Sequence, residues 1–95
     1  MSPPVRADGV PERSSAMAWQ LIDGEMILLN IAGKEMMGLN GIGGHVWRLI
    51  DGTRSIAQIA QAVAAEFDVV HEEVEADVKA FCEELTGMGA LEWKA

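Results

Sequence analysis

A chain of 95 residues with 49% hydrophobic content can bury one compact core but not two. Its 15 acidic against 7 basic side chains leave a net charge of -8, which repels a phosphate backbone and withholds the cations that nucleic-acid binding needs, so nucleic acid is not an expected partner. The single cysteine, Cys82, precludes an intramolecular disulfide, and with His45 and His71 far apart no metal-ligand spacing exists, so neither a metal nor a cofactor is expected. No apolar run approaches the roughly 18 residues of a membrane-spanning helix, and the opening residues lack the apolar middle of a secretory signal, so the expectation is a soluble, cytoplasmic protein without a membrane partner.

Met1 to Ala16 is polar and rich in Pro, Arg and Ser, which reads as a flexible arm over 1–16 ahead of a domain over 17–95. Met17, Trp19 and Leu21 alternate with Ala18, Gln20 and Ile22 as in a strand, and Asp23-Gly24 is a strong hairpin-turn pair. Glu25 to Asn30 carries four consecutive apolar residues, too continuous for a one-sided pattern, and is expected to be the middle strand with cover on both faces. Ala32-Gly33-Lys34 makes a second turn, and Glu35 to Leu39 a third strand at the sheet edge.

Asn40 is placed to cap a first helix starting at Gly41 or Ile42, whose Ile42, Val46, Leu49 and Ile50 form a stripe at spacings of three and four. Gly43 and Gly44 weaken that helix and point to close packing there. Ser55 can cap a second helix carrying Ile56, Ile59, Ala60, Val63 and Phe67; Val74, Val78, Phe81, Leu85 and Met88 mark a third, stopped by Gly87 and Gly89. Ala90 to Trp93 is left as a short extended tail. The order predicts an α+β fold: winged-helix-like, a three-stranded antiparallel sheet followed by a three-helix bundle.

Three stretches together resemble the PqqD-like family, the recognition elements for ribosomally made and modified peptides. They are Leu28-Leu29-Asn30 followed after a turn by Met37-Gly38-Leu39-Asn40; Gly43-Gly44-His45-Val46-Trp47-Arg48-Leu49-Ile50-Asp51-Gly52; and Ala64-Ala65-Glu66-Phe67-Asp68-Val69, continuing through Val78, Phe81 and Leu85 to Gly89-Ala90-Leu91. The chain departs from the common pattern at Gly43-Gly44, where relatives often carry Ala, and at Cys82, where Leu is usual. The resemblance implies a non-catalytic adaptor whose partners are the leader segment of a precursor peptide and a modifying enzyme, such as a radical S-adenosylmethionine protein or a peptidase. Both pyrroloquinoline quinone synthesis and lasso-type or other modified-peptide pathways fit it.

The resemblance also implies that the leader adds as a strand beside the third strand, in a cleft walled by the third helix. An exposed edge has unpaired amides and carbonyls that an extended peptide satisfies, while its alternate side chains enter pockets. Here that edge is Glu35, Met36, Met37, Gly38 and Leu39, and the wall is Val74, Asp77, Val78, Phe81, Cys82 and Leu85. Most of these residues have a second, purely structural reading. Val78, Phe81 and Leu85 hold a core, Asp77 is a solvated carboxylate, Cys82 is a small packed residue, and Met36 and Met37 straddle the sheet in an order the pattern leaves open. Trp19, Trp47 and Trp93 read as core.

Two other function classes compete. A winged-helix transcription regulator needs a recognition helix, but Glu72 to Met88 holds six carboxylates against Lys79 alone. A small enzyme needs a phosphate loop, a metal cluster or a triad, and no such motif is present.

Overall fold

The computed structural model describes residues 6–31 and 33–94. Five strands and three helices follow in the order β1 (Val10–Arg13), β2 (Met17–Ile22), β3 (Glu25–Asn30), β4 (Glu35–Leu39), α1 (Gly41–Leu49), α2 (Ile56–Phe67), α3 (His71–Gly87) and β5 (Leu91–Lys94). β2, β3 and β4 form an antiparallel meander with β3 in the middle, as expected. Asp23 and Gly24 both take positive φ, 51° and 81°, the backbone of a type I′ hairpin, and set the register that pairs Trp19 with Leu28 and Leu21 with Met26. The β3–β4 register then pairs Met26 with Leu39 and Leu28 with Met37.

That register settles the faces of the sheet. Met26 and Leu28 are buried, while Ile27 is half-buried and Leu29 exposed, so β3 alternates and has one covered face, not the two that its continuous apolar run suggests. Met37 shares the inner face with Leu28, and Met36 points outward at 74% exposure.

The helices close over the inner face. Asn40 caps α1, its side chain accepting from the Gly43 amide at 2.8 Å. Ser55 and Gln58 form a reciprocal capping box at the start of α2. α3 has no side-chain cap, but Glu72 and Glu73 lie in its first turn, where the helix dipole favours carboxylates. It ends in a Schellman arrangement, with Gly89 at φ 75° donating to Thr86 O and Ala90 donating to Leu85 O. Trp47, Leu28, Ile50, Ile56, Ile59, Val63 and Leu85 are fully enclosed at the centre. Gly44 supplies the close packing read from its sequence: a Cβ there would sit 3.2 Å from the Met26 Cβ, where β3 passes beneath α1.

Two expectations are corrected outside the core meander. The flexible arm over 1–16 gives way at Val10–Arg13, which form β1 and pair antiparallel with β5, Pro11 opposite Trp93 and Arg13 opposite Leu91. The folded unit therefore reaches back past residue 17, and residues 1–5 of that arm lie outside the described residues. Arg13 binds this second sheet to the first helix: its Nη1 donates to Trp47 O at 3.2 Å and Arg48 O at 3.3 Å, and its guanidinium lies 5.1 Å over the Trp19 ring. Trp19 is accordingly not enclosed; it is 44% exposed and meets Trp47 edge-on at 6.5 Å.

The orientation of β3 has a direct test. Leu28→Ala, which opens a cavity in the core, is expected to cost about 3 kcal/mol of unfolding free energy, against less than about 1 kcal/mol for Leu29→Ala next to it. Urea denaturation of the two variants checks both figures.

Candidate functional site: a strand edge leading into an apolar groove

The sheet ends at β4, which pairs with β3 on one side and with no named strand on the other. Its burial falls into two kinds. Leu39 is turned inward and buried and Met37 half-buried, whereas Glu35, Met36 and Gly38 are exposed. An edge of five residues with a packed inner face is held straight while its outward backbone groups stay available.

The chain leaves β4 through Asn40 directly into a groove of about 360 Å³ between α1, α2 and α3. Its lining is mostly apolar: Ile42, Gly43 and Val46 from α1, Val63 from α2, Val69 from the α2–α3 turn, and Val74, Val78 and Phe81 from α3. Asn40, Glu73 and Asp77 supply its polar groups. α3 packs chiefly on α2 and more lightly on β5. Ile42, at 47% exposure, explains itself here: it belongs to the helical stripe but turns toward the groove and not into the core.

Of the residues expected to form the site, the structure brings Val74, Asp77, Val78 and Phe81 together in the groove. Glu35 to Leu39 form the adjoining edge and join the groove through Asn40 without lining it. Cys82 and Leu85 are fully buried and are not among the residues that line the groove. Val74 and Val78 are buried on the same stripe yet line the groove, so position along α3 matters as well as rotation: Leu85 lies one turn beyond Phe81, the last groove residue, and Cys82 faces furthest round the helix from Asp77. Sequence reasoning missed the contribution of α1. Its only signal was Gly43, where a Cβ would approach Asn40 Oδ1 at 3.3 Å and Leu39 Cβ at 3.5 Å, so a larger residue would crowd the cap that turns β4 into the helix.

No chemistry is set up around the thiol. Burial pushes Cys82 up from 9.0 to about 12, so at neutral pH it is a packed, protonated side chain. Among the described residues no group of three or more His, Cys, Asp or Glu is placed to hold a metal ion, and no helix is long and apolar enough to cross a membrane.

A free strand edge running into an apolar groove, on a winged-helix-like α+β domain, is the build of receptors that take an extended peptide as an added strand. The chain belongs to the PqqD family: residues 25–91 match the model for coenzyme PQQ synthesis protein D. It is 36% identical over 74 residues to the PqqA binding protein of Xanthomonas oryzae pv. oryzae, covering 78% of this chain and 80% of that protein. The similarity to the PqqA binding protein of Gluconobacter oxydans is 40% over 53 residues, about half of each chain at 56% and 55%. Among solved structures, TbiB1 in complex with the TbiA(beta) leader peptide superposes with a TM-score of 0.80 at 30% identity, covering 88% of this chain and 98% of that one. The PqqD truncation of Methylobacterium extorquens PqqCD, described as a recognition element for ribosomally synthesised and modified peptides, shares the fold with a TM-score of 0.78 at 23% identity over 93% and 94% of the two chains.

The burial of Cys82 predicts that thiol reagents at pH 8 leave the folded protein unmodified and react only once it is unfolded, as mass spectrometry can read. Because the folded-state pKa lies above the unfolded one, the contribution of the protonated thiol to stability is present below about pH 9 and is lost as pH rises toward about 12. Cys82→Ala should not show that alkaline component in urea midpoints measured against pH.

Proposed function

We propose that this chain is a non-catalytic adaptor that captures the leader segment of a ribosomally made precursor peptide and presents it to a modifying enzyme. The observation that carries the reading is the free β4 edge leading into the apolar groove. The leader adds as a strand along Glu35, Met36, Met37, Gly38 and Leu39, its backbone pairing with the outward amides and carbonyls. Its inward side chains enter the groove against Val74, Val78 and Phe81, with Asp77 at the rim. Backbone pairing supplies affinity with little regard to sequence, and the groove supplies selection.

The relatives support this role. The Xanthomonas and Gluconobacter proteins are named for binding PqqA, and the TbiB1 structure holds a leader peptide. The lasso peptide synthetase B1, which shares the fold at 22% identity, is also complexed with its leader. These neighbours point to two pathways. A PQQ chaperone acting with a radical S-adenosylmethionine enzyme is favoured by the PqqA-binding relatives, and a lasso-type pathway by the likeness in fold to lasso peptide synthetase B1. Either enzyme supplies the chemistry, and either places the adaptor in the cytoplasm, where a ribosomal precursor is made. The regulator reading finds no support in α3, where Glu72, Glu73, Glu75, Asp77, Glu83 and Glu84 would face phosphate with Lys79 as the only cation.

Titrating isotope-labelled protein with the leader encoded beside its gene should shift backbone amides of Glu35–Leu39 and of the groove-lining turns of α3, while β1 and β5 stay still. Methylating alternate leader amides distinguishes strand addition from side-chain docking. Those that pair with β4 should each weaken binding about fivefold, near the net worth of one hydrogen bond, and the intervening ones should change little. Equal, small effects at every amide would reject strand addition.

A further inference from the structure

The rim of the groove is acidic, and among the described residues no Lys, Arg or His lines it. Glu73 and Asp77 both line it, one turn apart on α3, and both are exposed. The basic side chains of α3 are engaged elsewhere: Lys79 Nζ lies 3.5 Å from Glu75 and His71 Nδ1 3.8 Å from the same carboxylate. Neither Glu73 nor Asp77 forms an ion pair among the described residues. Beneath these two carboxylates the groove is apolar, with Ile42, Val46, Val74 and Phe81 on its walls.

On the adaptor reading, we infer that the leader this chain selects is a basic, apolar segment: a bulky apolar side chain seated in the groove, with Lys or Arg flanking it on the same face of the strand. The spacing fits. Four residues of α-helix separate Glu73 from Asp77 by about 6 Å along the axis, and side chains on one face of a strand recur at about 6.7 Å. Two cations at positions i and i+2 of the added strand, next to the apolar anchor, therefore meet carboxylates at a matching interval. Lys and Arg suit the place because their methylene stems lie along the apolar wall while the charge reaches the rim. A leader with Asp or Glu at those positions is repelled by the same pair and by the protein's net charge of -8.

The test uses the full chain and the leader encoded beside its gene, with fluorescence anisotropy at 50 and 500 mM NaCl. The Glu73→Gln/Asp77→Asn double variant keeps the shape of both side chains and removes their charge; Glu83→Gln, an exposed carboxylate of α3 outside the groove lining, controls for net charge. The expected result is binding about five- to tenfold weaker for the double variant at low salt, unchanged binding for Glu83→Gln, and a salt dependence that largely disappears in the double variant. A leader with its Lys and Arg replaced by Gln should bind wild type and double variant alike. Leader binding at β4 that is insensitive to salt and to the double variant overturns the charge inference and leaves the adaptor standing. A wild-type chain that binds no leader at 50 mM NaCl overturns the adaptor reading and this inference with it.

Discussion

The site depends on what happens between two consecutive residues, Leu39 and Asn40. Leu39 is buried opposite Met26 and pins the end of β4 into the core. Asn40 breaks the strand, accepts the Gly43 amide at 2.8 Å, and receives the Gly44 amide on its carbonyl at 2.8 Å to start α1. One residue thus ends an edge strand, the next begins a helix, and the groove opens at the joint. A side chain at Gly43 would crowd this turn, and one at Gly44 would press on Met26 of β3 and require a shift of a few tenths of an ångström, so both helix-weakening glycines stand where the packing is tight.

α3 serves two surfaces at once. Val74, Val78, Cys82 and Leu85 are its buried stripe, and Asp77 and Phe81 form a neighbouring stripe toward the opening. Its C-terminal half is tied down: Asn30 Nδ2 donates to Met88 O at 2.7 Å, and Trp93 Nε1 donates to Thr86 Oγ1 at 3.1 Å. Asn30 also accepts the Gly33 amide at 3.0 Å, so one side chain joins the β3–β4 turn to the end of the helix. The N-terminal half, without a side-chain cap at Val70, flanks the groove. Arg13 fastens the remaining periphery by meeting the last carbonyls of α1, where a cation is favourable.

The meander, the three helices and two of the caps were legible because each is announced locally: Asp23-Gly24 has the backbone preference of a type I′ turn, Asn40 and Ser55 are good caps, and α3 repeats at three and four. β1 was not legible. Val10-Pro11-Glu12-Arg13 has no alternation and contains a proline, and its partner, Leu91 to Lys94, lies about 80 positions away, so nothing local signals the pairing. The resemblance to the family pointed to β4 and α3, and those elements do adjoin the groove. It could not separate Asp77 and Phe81 from Cys82 and Leu85, because that depends on how α3 is rotated and how far along it the groove extends, which packing sets. The orientation of Met36 and Met37 likewise awaited the β3–β4 register.

On the proposed function β4, and no other edge, receives the peptide. β2 also ends the sheet, but Arg13 lies over Trp19 on that strand and none of its residues lines the groove. Intermolecular NOEs between an unlabelled leader and the labelled protein decide between the two edges most directly. The account predicts backbone contacts from the leader to Met36–Leu39, with leader side-chain contacts to Val74 and Phe81. Backbone contacts to Met17–Ile22, or side-chain contacts with none to any strand, would contradict it.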